Sequence, residues 1–260
     1  MGLATVLAAA ALAVSPASFV QSRQQPDGGF AEANGVPSPE LAAWAALGLR
    51  ATGTGTKNAL SYLVAHERDV TQPTSIALVA VAESTLGREP SALLARLPER
   101  PRAVNEATWD VLALRQAGRA VPKLLLTYLL HSQSRAGGFG WARGVNPDSN
   151  DTAFAIQALR AAGVRGWPVA RALTFLRSFQ RRDGGFELVR GRGSDSQSTA
   201  VAIQGFVAAG AAPPARAFRF LAGLRRADGS YRYSVRYNAT PLWVTSQVLP
   251  ALARRALPLG

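Results

Sequence analysis

The chain has 260 residues, 48% of them hydrophobic, and no cysteine. That length supports one or two domains with a large core, and the missing cysteine excludes disulfides, cysteine zinc sites and thiol nucleophiles. Basic residues outnumber acidic ones 29 to 16, giving +13. The arginines are spread through the helical segments, with the loop Arg190-Gly191-Arg192-Gly193 the one local concentration worth naming. That spacing reads as solvated outer faces, not as a nucleic-acid interface, and leaves contact with an anionic cell surface as the partner the charge supports. His66 and His131 stand far apart in sequence, so no histidine metal site is expected.

At the N-terminus, Leu3 to Val14 is an apolar run with Thr5 as its one polar residue, too short to span a bilayer and suited to the core of a secretory signal. Ser15-Pro16-Ala17 supplies small residues for cleavage, although no basic residue precedes the run. Residues 1–17 are therefore read as a signal peptide, and the protein as secreted.

Four segments then repeat: SFVQSRQQPDGGF (18–30), TYLLHSQSRAGGF (127–139), TFLRSFQRRDGGF (174–186) and RFLAGLRRADGSY (219–231). Each begins as an amphipathic helix and ends in a glycine-rich stop. A second pattern follows, in SPELAAWAALGLRATG (38–53), DSNDTAFAIQALRAAG (148–163) and DSQSTAVAIQGFVAAG (195–210), with WVTSQVLPAL (243–252) as a looser copy. Apolar residues recur there at helical spacing. Between 54 and 122 the repeat is degenerate, yet TSIALVAVAESTLG (74–87) and NEATWDVLALRQAG (105–118) keep the period. Helices of the second type are thus predicted to begin near 40, 74, 105, 150, 197 and 243. Shorter ones are predicted near 57–67, 90–97, 122–134, 168–180 and 214–226, and strand signals are absent. Hairpins that cannot bury their apolar faces alone close most economically into a ring. The expectation is an all-α chain, a single α6/α6 toroid over 18–256, followed by a tail at 257–260.

Arg171 to Phe186, RALTFLRSFQRRDGGF, resembles the QW repeat of squalene and oxidosqualene cyclases, with Phe in place of the final Trp. The other three segments are similar, with departures such as Arg225 where Gln is expected. The resemblance implies the terpenoid cyclase/protein prenyltransferase α6/α6 toroid, which also occurs in cobalamin carriers and in secreted bacterial repeat proteins. Gln24, Gln133 and Gln180, with Phe30, Phe139 and Phe186, read as structural fasteners: an amide at a helix end can serve both a terminal carbonyl and a neighbouring backbone.

The catalytic signature of squalene-type cyclases is Asp-x-Asp-Asp-Thr-Ala, whose middle Asp donates the proton. Asp148, Asp151, Thr152 and Ala153 match it, but Asn150 stands in the middle, and a carboxamide cannot protonate an alkene. Asp148 falls at a helix N-cap and Asp151 at the third helical position, where free N–H groups and the helix dipole are expected to hold both ionised, with depressed pKa values. The parallel stretch Asp195-Ser196-Gln197-Ser198-Thr199-Ala200 keeps the cap without an acid cluster. Glu40, aligned with Asn150, reads as a first-turn acid after Pro39. A prenyltransferase zinc site would need cysteine, and Glu106, Asp110 and Glu187 form no recognisable acid/base pair.

Trp44, Trp109, Phe154 and Trp243 fall at or near one position of the second helix type, so they converge either as packing or as a ligand shelf. With Glu40 and Asp110 they are the candidate ligand-binding residues. The reading favoured is a secreted, non-catalytic toroid without metal or cofactor, acting as a scaffold or binding a small apolar or mixed ligand. By resemblance that ligand is isoprenoid or corrinoid. The alternatives are a class II terpene cyclase-like isomerase using Asp148 or Asp151, and a basic protein that binds anionic surfaces.

Overall fold

A computed structural model describes residues 14–259. The apolar run of the expected signal peptide lies outside the described residues, apart from Val14. Ser15 to Ala17 form the cap and first turn of α1 (Pro16–Gln21), where the Ser15 hydroxyl accepts from Ser18 N–H.

Six helices of the second type form an inner ring: α2 (Pro39–Ala51), α4 (Pro73–Thr85), α6 (Val104–Gln116), α8 (Ser149–Ala161), α10 (Ser196–Ala208) and α12 (Pro241–Leu252). Their starts are written in the sequence. Proline opens α2, α4 and α12, and side chains cap three of the six: Ser38 accepts from Leu41 N–H at 3.2 Å, Asp148 from Asp151 N–H at 2.8 Å, and Asp195 from Ser198 N–H at 2.7 Å. Each inner helix packs on the next, and α12 packs back on α2, so the ring closes. The inner helices are buried on nearly every face, as α10 is from Ser198 to Phe206, where the buried polar residues are Ser198, Thr199 and Gln204. The shorter outer helices are α1, α3 (Ala59–Ala65), α5 (Ser91–Leu94), α7 (Lys123–His131), α9 (Trp167–Arg177) and α11 (Ala215–Leu224). They bury one stripe and expose the rest, so the predicted all-α toroid of six hairpins is the observed fold.

One departure from the sequence reading is a two-residue hairpin, β1 (Phe186–Glu187) antiparallel to β2 (Ser194–Asp195). Strands this short carry no alternation to read. They form because the turn after α9 brings Phe186 opposite Asp195.

The repeat works as a fastener between neighbouring hairpins. Gln133 Nε2 donates to Gly137 O in its own turn and to Pro168 O in α9, both at 2.8 Å. Gln24 does the same with Gly28 O, at 3.0 Å, and Lys57 O. In the last repeat Arg225 takes the glutamine's place and donates to Val14 O at 2.8 Å. There Gly229, at φ +86°, lies so close to the chain start that a Cβ would stand 2.7 Å from the Ser15 and Val14 carbonyl oxygens. The last repeat thus grips the first helix as Gln24 and Gln133 grip the hairpins after them, whereas Gln180 bonds only Gly184 O, at 2.9 Å, in its own turn. Phe30, Phe139 and Phe186 are fully buried. The N–H groups of Phe139, Phe186 and Tyr231 each donate at 2.9 Å to a threonine hydroxyl, of Thr152, Thr199 and Thr245 respectively. Thr152 of the DSNDTA stretch therefore joins two helices of a hairpin.

Past α12 the chain crosses the end of the ring where the inner helices finish. Leu257 N–H donates to Gln157 Oε1 at 2.9 Å, and Leu259 exchanges two bonds with the Gln116 amide, at 2.7 and 2.9 Å. Leu257 is buried.

Candidate functional site

The opposite end of the ring, where the inner helices begin, gathers the residues singled out from the sequence. Trp44 stands edge-on to Trp109 with ring centres 5.6 Å apart, and lies 6.3 Å from Phe154 and 6.5 Å from Trp243. Trp109 and Phe154 are 5.0 Å apart. Because α2 and α8 face each other across the ring, the Trp44–Phe154 contact spans its bore. The four rings spend their faces on one another, with Trp44 and Trp109 buried and Phe154 and Trp243 half-buried above them. The recurring aromatic is therefore a floor that blocks the bore. Glu40 is partly buried in the first turn of α2. Asp110, next to Trp109 in α6, is 1% exposed, and neither carboxylate oxygen has a hydrogen-bond partner. Burial, followed by the charge of Glu106, pushes its pKa up to about 7.

The expected electrostatics of the DSNDTA stretch are reversed. Asp148 is the N-cap and Asp151 the third helical residue, as predicted. Yet burial, then the Asp148 charge and a hydrogen bond to it, push Asp151 up to about 8. Asp148 is raised too, burial outweighing the N–H bonds that favour its charge. Desolvation defeats the helix dipole because the first turn of α8 is packed inside the mouth, not held in solvent. Burial thus favours the neutral, protonated form of Asp151. Its proton is nevertheless engaged: in α10 the Ser198 hydroxyl donates to Asp195 Oδ2 at 2.8 Å, and the Asp151 carboxyl occupies the equivalent place beside Asp148. Asn150 is half-buried, and its Oδ1 accepts from the Ser149 hydroxyl at 3.2 Å.

Sequence reasoning missed a second feature of this rim. An open cleft of about 940 Å³ lies between the loops leading into α10 and α12, lined among others by Arg192, Asp195, Gln197, Tyr233, Arg236 and Tyr237. The Arg190-Gly191-Arg192-Gly193 concentration was its one visible signal, since the facing wall comes from a loop some forty residues further on. The cleft's acids are occupied by the fold. Asp195 caps α10, and Asp183 Oδ1 accepts from Gly185 N–H at 3.0 Å and the Ser194 hydroxyl at 2.9 Å. Neither Arg192 nor Arg236 is in an ion pair among the described residues. Among those residues, no group of three or more histidine or acidic side chains is placed to hold a metal ion.

No protein-family model matches the chain, and no curated protein matches it. Solved structures do. A protein from Actinoplanes has a TM-score of 0.68 at 18% identity, covering 92% of this chain and 97% of that one. A variant of the type II terpene cyclase MstE from Scytonema, in complex with geranylgeranyl dihydroxybenzoate, has a TM-score of 0.66 at 13% identity, covering 92% and 95%. A variant described as a glycosidase has a TM-score of 0.63 at 13% identity, covering 92% and 94%. What the chain shares with them is the α/α toroid fold of the terpenoid cyclase type, as the repeat implied.

Proposed function

We propose that the protein is an exported, non-catalytic binding protein that holds a small ligand of mixed polarity at the mouth of the ring. The observation that carries this reading is the rim cleft, whose volume of about 940 Å³ suits a small molecule while the aromatic floor blocks the bore beneath. Gln197 and Thr240 line its inner end, at the starts of α10 and α12, and Trp243 follows in the first turn of α12. A ligand seated there reaches both polar loops and the rings of Tyr233 and Tyr237. Asn150 in place of an acid, and an Asp151 proton engaged with Asp148, argue against catalysis. Native mass spectrometry of the protein from its own host tests the reading. A bound mass is expected on the wild type and not on a Gln197→Ala/Tyr233→Ala variant, whereas a uniformly bare chain overturns it. Fractionation of the host tests export, which the Leu3–Val14 run supports; any cleavage must fall ahead of Val14, because Val14 and Ser15 are held by Arg225 and Gly229.

A second reading is a type II cyclase-like isomerase, favoured by one observation: the Asp151 carboxyl, its pKa raised by burial, sits one turn from Phe154. MstE provides the assay by its fold. Incubation with geranylgeranyl dihydroxybenzoate should yield an isomer of unchanged mass that Asp151→Asn fails to make. Unconverted substrate sinks this reading.

A further inference from the structure

We infer that the rim cleft, together with the cleft beside it, forms a groove for an acidic oligosaccharide. The inference names the ligand's chemistry and rests on the binding reading above. Charge is the first observation. Residues 165–236 hold thirteen arginines and four acids, so this one stretch supplies +9 of the chain's +13. The excess is not neutralised internally: among the described residues, only Arg181 (to Glu187, 3.3 Å) and Arg226 (to Asp228, 4.0 Å) of these thirteen stand in ion pairs.

Shape is the second observation. A further cleft of about 530 Å³, lined by Gln180, Arg181, Arg182, Glu187 and Arg190, shares Asp183 with the rim cleft. The two together make an elongated track with arginine along both halves. A chain-like ligand with charge at intervals fits such a track better than a compact anion does.

Side-chain chemistry selects sugar. A guanidinium fork matches a carboxylate or sulfate group through paired hydrogen bonds. Tyr237, 63% exposed, and the partly buried Tyr233 offer flat rings with polar tips, against which the C–H face of a pyranose can lie. Ser194, Ser234 and Gln197 supply donors and acceptors for hydroxyl groups. Asp183 completes the argument. Its Oδ1 is bonded within the loop, while Oδ2 is left to accept from a hydroxyl group. A carboxylate in the middle of the track accepts from the hydroxyl groups that lie between an acidic oligosaccharide's charges, donors that a single-stranded DNA backbone lacks.

Calorimetric titration of the full chain tests this, with heparin oligosaccharides of increasing length as the acidic probe, neutral maltodextrins and single-stranded oligothymidylate. Heparin affinity should rise with length and fall with salt. Arg192→Ala/Arg236→Ala should weaken it roughly tenfold or more, and Tyr237→Ala should weaken it without changing the salt dependence. Arg219→Ala, outside both clefts, should leave it unaltered, and circular dichroism should match for every variant. Three results overturn the inference: heparin binding indifferent to Arg192 and Arg236, maltodextrin binding as tightly, or oligothymidylate binding as tightly. If heparin fails while a co-purified mass remains, the oligosaccharide falls and the binding reading stands; if both are silent, both fall.

Discussion

The Asp151 carboxyl lies against that of Asp148 in the first turn of α8, where the equivalent turn of α10 sets the Ser198 hydroxyl against Asp195. An acid biased toward its neutral form by burial, and then by its neighbour, thus does the work of an alcohol. The consequence is a pH-dependent stability. Unfolded, Asp151 loses its proton near the ordinary aspartate value of about 4; folded, it keeps it until about 8. Between those limits the folded state binds one proton more, so stability falls as pH rises through that window. Asp110 and Glu83, both raised to about 7 by burial, tilt the profile the same way. Urea midpoints should therefore be higher near pH 5 than above pH 8. Asp151→Ser, which installs the α10 arrangement, should flatten the profile and leave the ring intact. A profile rising with pH would refute the protonated pair.

The clasp between the last repeat and the first helix runs through Gly229. Gly163→Ala places a Cβ at φ +84° in open space, whereas Gly229→Ala at φ +86° drives it against the Ser15 and Val14 carbonyls. Both pay the left-handed backbone cost of about 1–2 kcal/mol. Gly229→Ala should lose a further 1–3 kcal/mol or so through overpacking. Equal urea midpoints for the two variants would mean that the clasp between the last repeat and the first contributes nothing.

Much of this architecture was legible because it is written locally. Ser38-Pro39, Asp148 and Asp195 mark helix starts, and the inner helices begin within two residues of where periodicity and caps put them. The fasteners were legible because they recur in register. What could not be read depends on tertiary packing. The pKa of Asp151 follows from how deeply α8 is buried, which a capping rule does not know. The cleft joins the Gly191–Gln197 loop to the Tyr233–Thr240 loop, two unremarkable stretches until α10 and α12 lie side by side. Helix α5 is only Ser91–Leu94, where 90–97 was predicted: the chain tightens to Arg96 N–H to Leu93 O and Leu97 N–H to Leu94 O bonds, and Pro98 disfavours helical backbone at Leu97.

Trp44 is the keystone of the aromatic floor, touching Trp109, Phe154 and Trp243. Trp44→Ala should cost roughly 3–5 kcal/mol and leave an apolar cavity across the bore. If the surrounding rings hold their places, indole should refill it and raise the variant's melting temperature without affecting the wild type. No response to indole would show that Phe154 and Trp243 collapse into the space, so that the floor adapts instead of standing as a rigid plate.

The other end of the ring is closed by the chain's last residues. Gln157 is fully buried, and its Oε1 accepts from Leu257 N–H; Gln116 is bonded through both amide atoms to Leu259. Removing residues 257–260 uncovers the Leu257 site and strips a buried glutamine of its partner. Lost leucine burial and an orphaned polar group together should cost roughly 2–5 kcal/mol. The two contributions separate in one further variant. Gln157→Leu in the shortened chain removes the orphan while leaving the leucine missing, so it should recover part of the loss. In the full chain the same substitution should destabilise, because Leu257 N–H then loses its acceptor in a buried place. Urea denaturation of the four proteins reads both effects. A shortened chain as stable as the full one would show that the ring needs no closure at this end.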